Sequence, residues 1–248
     1  MTMNGKTAII TGGGRDIGRA CAMALAAEGA NVAINYHSSS EGADSAVAEI
    51  KAAGGNAIAL QGDLTKAEGA KALVDATVEA FGKVDVLVNN TGGLVGRKTI
   101  AEMDLDHWNY VMDLNLTSMF HMIKACLPHM GEGSAIVNMA SLAGRDGGGP
   151  GAVVYAASKG AAITMTRGLA KELGPNIRVN AINPGMIDTD FHNIFTKDAV
   201  RANVANATPL KREGRPEEVA DLVVFLTGPK SSFISGACYD INGGVAFS

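Results

Sequence analysis

The segment Tyr155-Ala156-Ala157-Ser158-Lys159 sets a phenol and an ammonium at (i, i+4) spacing, which places both on one face of a helix. A free phenol titrates at about pH 10, so near neutrality it is a poor acid or base until a neighbouring cation favours the phenolate. Ser141 stands shortly upstream, and Thr11-Gly12-Gly13-Gly14-Arg15-Asp16-Ile17-Gly18 lies near the N-terminus. Glycines between a strand and a helix let backbone N–H groups approach a pyrophosphate held at the helix N-terminus. Together these features predict a hydride-transfer site. Singly, each has an ordinary reading: Tyr155 in a helix–sheet interface, Lys159 on a solvated face, Ser141 in a turn, the glycines in a tight connection.

Such groups must be positioned by elements, and the chain alternates short apolar strands with longer amphipathic helices. Strands are expected at Thr7–Thr11, Asn31–Tyr36, Ala57–Gln61, Val84–Asn89, Ala135–Met139, Val179–Asn183 and Ala237–Ile241. Helices are expected at Ile17–Glu28, Glu41–Ala53, Lys66–Phe81, Leu105–His129, Val153–Leu173 and Pro216–Thr227, the last opening with Pro and two Glu as helix N-termini prefer. This order implies an α/β fold in which a doubly wound, seven-stranded parallel sheet carries helices on both faces. The run Gly147-Gly148-Gly149-Pro150-Gly151 reads as a tight loop rather than a linker. Residues 1–248 are therefore expected to form one domain. Ligands of such sheets bind at the carboxyl ends of the strands, near the reversal of strand order.

Hydrophobic residues make up 47% of the 248 positions and charged residues 19%, enough apolar material for a large core. The net charge of −4 and the lack of a long basic run disfavour nucleic-acid binding. Apolar runs are interrupted well before bilayer-spanning length, and the first apolar strand follows Met1 too closely for an export signal. Cys21, Cys126 and Cys238 lie far apart, without metal-ligand or redox-pair spacing. The expectation is a cytoplasmic protein with reduced thiols, no bound metal and no membrane partner.

The second strand ends Tyr36-His37-Ser38-Ser39, where a fold preferring NAD usually carries an acid for the ribose 2′-hydroxyl. No acid is present. Arg15, His37 and the serines instead offer positive charge and donors suited to a 2′-phosphate, which predicts NADP, with NAD possible.

From Lys6 to about Gly244 the chain resembles the short-chain dehydrogenase/reductase family. The matching motifs are Thr11-Gly12 through Gly18, Asp63, Asn89-Asn90-Thr91-Gly92, the set Asn115, Ser141, Tyr155 and Lys159, then Pro184-Gly185, Ser235-Gly236 and Asn242-Gly243-Gly244. The resemblance implies a Rossmann fold and a catalytic tetrad of Asn115, Ser141, Tyr155 and Lys159. In this reading Tyr155 exchanges the proton with the reacting oxygen, while Ser141 holds that oxygen. Lys159 lowers the phenol pKa and meets the nicotinamide ribose, and Asn115 orients a water leading to solvent. The resemblance further implies that Gly12, Gly14, Arg15, Ile17 and Gly18 line the cofactor turn, with Tyr36, His37 and Ser38 at the 2′-position. Asp63 would meet the adenine and Pro184 and Gly185 the nicotinamide, with Leu64, Asn90, Gly92, Ile187, Thr189, Tyr155 and Lys159 completing the cofactor-binding set. It also implies a homotetramer formed through the long helices. Two positions depart from the family pattern: Asp16 and Thr91 stand where glycine and alanine are usual. A carboxylate at Asp16 would repel a pyrophosphate unless it turned away or paired with Arg15 or Arg19.

Substrate signals come from loops expected at the active face, with about 186–215 as the substrate-loop region. Arg97, Lys98, Arg145 and His192 form a basic set suited to a carboxylate or phosphate, although loop charges are often only solvated. With few bulky apolar groups besides Trp108 and Phe191, the loops suggest a small polar anion. They resemble those of the keto-uronate reductases of alginate breakdown, while the overall layout equally resembles 3-oxoacyl-[acyl-carrier-protein] reductases. A nicotinamide-nucleotide-binding sensor without turnover is the non-enzymatic alternative.

Overall fold

The computed structural model describes residues 1–247. Seven parallel strands form one sheet in the order β3-β2-β1-β4-β5-β6-β7: β1 Thr7–Ile10, β2 Asn31–Tyr36, β3 Ala57–Gln61, β4 Val86–Asn89, β5 Ser134–Met139, β6 Ile177–Pro184 and β7 Cys238–Ile241. The order reverses between β1 and β4, which pair Ala8 with Val86 and Ile10 with Val88. A crevice therefore opens beyond their carboxyl ends.

Both faces of each inner strand are buried, so the strands read as continuous apolar runs whose alternate residues enter different cores. Ala8, Ile10, Val32, Ile34, Val86 and Val88 pack on one side with helices α1 (Asp16–Ala27), α2 (Ser40–Ala52) and α10 (Pro216–Thr227). Ile9, Ala33, Leu87 and Ile136 pack on the other with α3 (Ala67–Phe81), α5 (Ser118–Cys126) and α7 (Val153–Leu173). Helix α10 starts as its sequence suggests, with Pro216 in the first turn and the Glu218 carboxylate accepting the Arg215 N–H at 2.8 Å.

The expected single helix Leu105–His129 is interrupted. It comprises α4 (Leu105–Met112), a π-turn at Asp113–Thr117, α5, and a 3-10 turn at Leu127–His129. The π-turn contains the fully buried Asn115, whose amide bonds outward to another loop and so favours the widened turn. Three short helices fall in stretches read as loops: α6 (Ala143–Asp146), α8 (Asp190–Phe195) and α9 (Asp198–Ala207). Helices α8 and α9 occupy the expected substrate-loop region, between an Ile187–Gly214 bridge at its base and the crevice. Among the described residues no helix is long and apolar enough to cross a membrane, and no cluster of His, Cys, Asp or Glu could hold a metal.

Candidate active site

One cavity of about 810 Å³ runs along the crevice. Its inner wall starts at Gly12 and Gly14, where β1 turns into α1. Gly12 has φ +61°, and a Cβ on Gly18 would lie 2.2 Å from the Gly12 carbonyl oxygen and 2.6 Å from Asn90 Nδ2. Gly18 thus lets α1 lean against the turn and does not itself line the cavity. Asn90 locks the turn from β4 by donating to the Thr11 and Gly12 carbonyls, each at 3.1 Å.

The rest of the expected cofactor set lines the same space: Arg15, Ile17, Tyr36, His37, Ser38, Asp63, Leu64, Asn90, Gly92, Pro184, Gly185, Ile187 and Thr189. This wall fits a dinucleotide. Its glycine turn sits at a helix N-terminus, no carboxylate follows β2, and Thr91 Oγ1 is buried without a protein partner beside Gly12. Asp63 accepts the Thr65 N–H and hydroxyl at 2.9 and 2.7 Å, which holds its carboxyl below the usual range.

Ser141, Tyr155 and Lys159 converge on the cavity's middle. Ser141 follows β5, and its oxygen accepts the Ala143 N–H at 3.1 Å as α6 begins. Tyr155 lies in the first turn of α7 with Ser141 beside its phenol, where the serine favours the phenolate. Lys159 is 3% exposed, donates to the Met139 carbonyl at 2.7 Å, and has Nζ 5.8 Å from the Tyr155 ring centre. Burial pushes its ammonium down to about 8.

The phenol differs from the sequence expectation. Burial raises its pKa, and Ser141 opposes this without reversing it. The net shift is upward because desolvation of the phenolate outweighs what favours it.

Asn115 stands behind the trio, off the cavity wall. Its Oδ1 accepts the Gly93 N–H at 2.9 Å, while Nδ2 donates to the carbonyls of Gly93 and Val111 at 2.9 and 2.8 Å. Both amide protons are thus engaged, one on the Gly92-Gly93 strap and one on the helix, while Oδ1 accepts from the strap and keeps a second lone pair with which it can accept from a water.

The basic set divides. Arg97 and His192 line the cavity. Arg97 donates only to the carbonyls of Phe195 and Pro150 and meets no carboxylate among the described residues. His192 Nδ1 bonds Thr196 Oγ1 at 2.9 Å, and burial lowers its pKa, favouring the neutral ring. Lys98 turns outward to Asp104, 2.6 Å away, which also caps α4. Arg145 points to the far side of α6, pairing with Asp240 and donating to the Phe247 carbonyl. Asp240 in turn accepts from Asn183 at 3.0 Å. Lys98 and Arg145 are therefore removed from the substrate set, since each is drawn to a carboxylate away from the cavity. Among the residues missed is an apolar group, Leu94, Phe195, Val200, Val204 and Val245, which lines the cavity with Phe191; Asp146 and Thr196 were missed as well. Only the short helices α8 and α9 bring several of them there.

A model of the family described as enoyl-(acyl carrier protein) reductase matches residues 12–246. The chain belongs to the short-chain dehydrogenase/reductase family. It is an oxidoreductase that uses a nicotinamide nucleotide on carbonyl or CH–OH groups, which sets the sensor reading aside. It is 40% identical, over 98% of both chains, to a 3-oxoacyl-[acyl-carrier-protein] reductase of Synechocystis. It is also 39% identical, again over 98% of each, to an uncharacterised oxidoreductase of Methylorubrum extorquens. Among solved structures, a Burkholderia cenocepacia short-chain dehydrogenase in complex with NADP is 38% identical, with a TM-score of 0.92 over 99% of both chains. A blue fluorescent protein from a metagenomic library, in complex with NADPH, is 36% identical, with a TM-score of 0.94 over the full length of both.

Proposed function

We propose that this short-chain dehydrogenase/reductase prefers NADP(H) and acts on a small anionic keto sugar acid. The observation that carries the anionic substrate is Arg97, a guanidinium on the cavity wall with no carboxylate partner among the described residues. An unneutralised cation facing a reaction chamber is suited to a substrate carboxylate.

The nucleotide, when bound, supplies hydride in reduction and takes it up in oxidation. Tyr155 holds the proton at its phenolic oxygen, where its raised pKa keeps the phenol protonated near neutrality, and passes it to the substrate oxygen as negative charge develops there in reduction. Ser141 can donate to the same oxygen and polarise the carbonyl. Lys159 holds positive charge beneath the phenol, and Asn115 holds the Gly92-Gly93 strap close over it, where a Cβ on Gly92 would lie 3.0 Å from Lys159 Nζ.

The absence of an acid after β2, together with the Arg15, His37 and Ser38 donors, supports NADP over NAD, as do the NADP and NADPH found with the two structural relatives. Steady-state rates with NADPH and NADH test it, and a tenfold preference for NADH would reject it.

A second reading, 3-oxoacyl-[acyl-carrier-protein] reductase, is favoured by the apolar wall of Phe191, Phe195, Val200 and Val204 and by the name of the Synechocystis relative. Assaying the purified protein with both a deoxy keto-uronic acid and an acetoacetyl thioester separates the two. Turnover of the thioester alone would sink the sugar-acid reading. We also propose a homotetramer, supported by the exposed Leu105 and Phe120 on α4 and α5 and Val153 on α7.

A further inference from the structure

Asp16 is the family departure that the reading above leaves unused. It opens α1 at φ +50°, a left-handed conformation that favours glycine. The carboxylate does not turn toward Arg19, which pairs instead with Glu49 at 2.7 Å. Asp16 Oδ1 accepts the backbone N–H of Asp190 at 3.1 Å, across 174 residues of sequence. Asp190 is the first residue of α8, and its own carboxylate lies 3.4 Å from Arg15 Nη1, whose Nε is 3.8 Å from Asp16.

The helix so held carries an aromatic ring packed against that of Tyr155. Phe191 lies 5.8 Å, ring centre to ring centre, from Tyr155 and 5.3 Å from Phe195, and all three line the cavity with His192. Arg201 of α9 reaches back to Asp188 at 2.6 Å and to Asn193 and Glu213, so α8 and α9 are tied to one another. Arg97 holds the far end through the Phe195 carbonyl at 3.3 Å.

We propose that Asp16 is a positioning residue that clasps α8 to the cofactor turn and so presents Phe191 to the ring of Tyr155. A carboxylate here leaves a penalty near the pyrophosphate site: burial, with the Asp190 and Asp188 carboxylates, raises its pKa, and the hydrogen bond from the Asp190 N–H, with Arg15, opposes them. What the side chain returns is an ordered substrate wall over the glycine turn. The catalytic consequence rests on the proposed function; the clasp itself does not.

The test compares Asp16→Gly, which suits φ +50° and should fold, with Asp16→Asn, which retains an acceptor oxygen. Hydrogen exchange of the cofactor-free protein is read over residues 190–196. The clasp predicts exchange at least fivefold faster in Asp16→Gly and near wild type in Asp16→Asn. With whichever of the two test carbonyls is turned over, Asp16→Gly should raise KM about fivefold and leave kcat within twofold, and nucleotide fluorescence should report NADPH binding no weaker than wild type. Unchanged exchange in Asp16→Gly, or equal loosening in both variants, overturns the clasp. Loosened exchange in Asp16→Gly alone, with neither carbonyl turned over, upholds the clasp and counts against the substrate reading.

Discussion

Lys159 and Tyr155 share one buried wall, yet burial moves their pKa values in opposite directions, since it disfavours the charged form of each. The free enzyme's kcat/KM for carbonyl reduction should therefore fall above about pH 8, where Lys159 loses its proton; a profile flat to pH 10 would contradict this assignment. Stability follows the same linkage. Between about 8 and 10.5 the unfolded chain binds the Lys159 proton while the folded chain does not, so stability should rise with pH across that window. Denaturation midpoints measured against pH should lose that rise in Lys159→Met. Replacing Tyr155 with Phe removes the proton donor and should lower kcat by roughly 10²–10⁴-fold while fluorescence still reports NADPH binding. Arg97→Ala should cost about 1.5–3 kcal/mol of transition-state binding for an anionic carbonyl, seen as a fall in kcat/KM of roughly 10–100-fold. A neutral carbonyl of similar size should suffer much less.

At the level of elements, the glycine turn depends on how closely α1 approaches it. A methyl on Gly18 would sit 2.2 Å from a backbone oxygen that cannot yield without moving the turn. Gly18→Ala should lower the thermal midpoint, with a cost of roughly 1–3 kcal/mol expected for overpacking, and weaken NADPH binding by calorimetry. Helix periodicity runs unbroken through Leu105–His129, so the π-turn left no trace in the sequence: its cause is Asn115 bonding to Gly93, 22 residues away. Helices α8 and α9 went unread for a related reason. They are short, no residue of either is fully buried, their apolar pairs Phe191/Phe195 and Val200/Val204 face the cavity rather than a core, and they are held by contacts such as Arg201 to Glu213 and Asp16 to Asp190.

For the whole molecule, large apolar side chains remain exposed on helices flanking the site: Leu105 at 70%, Tyr110 and Phe120 at 50%, and Val153 at 46%. Surfaces of this kind are commonly buried between subunits. Light scattering should give a mass four times that of the chain, and a stable monomer at working concentration would reject the tetramer.

The strands and the Tyr155–Lys159 pair could be read directly from the chain because they are local, whereas the order of strands in the sheet was not read. Strands buried on both faces are continuous apolar runs, and an (i, i+4) spacing places two side chains together on any helix. The fate of the charged loop residues was decided in three dimensions. Arg97, Lys98, Arg145 and His192 look alike in sequence, but Asp104 and Asp240 draw Lys98 and Arg145 away, and burial favours the neutral form of His192. A carboxylate distant in the chain can capture a cation in the fold, and burial can shift the charge state of another; neither leaves a local mark.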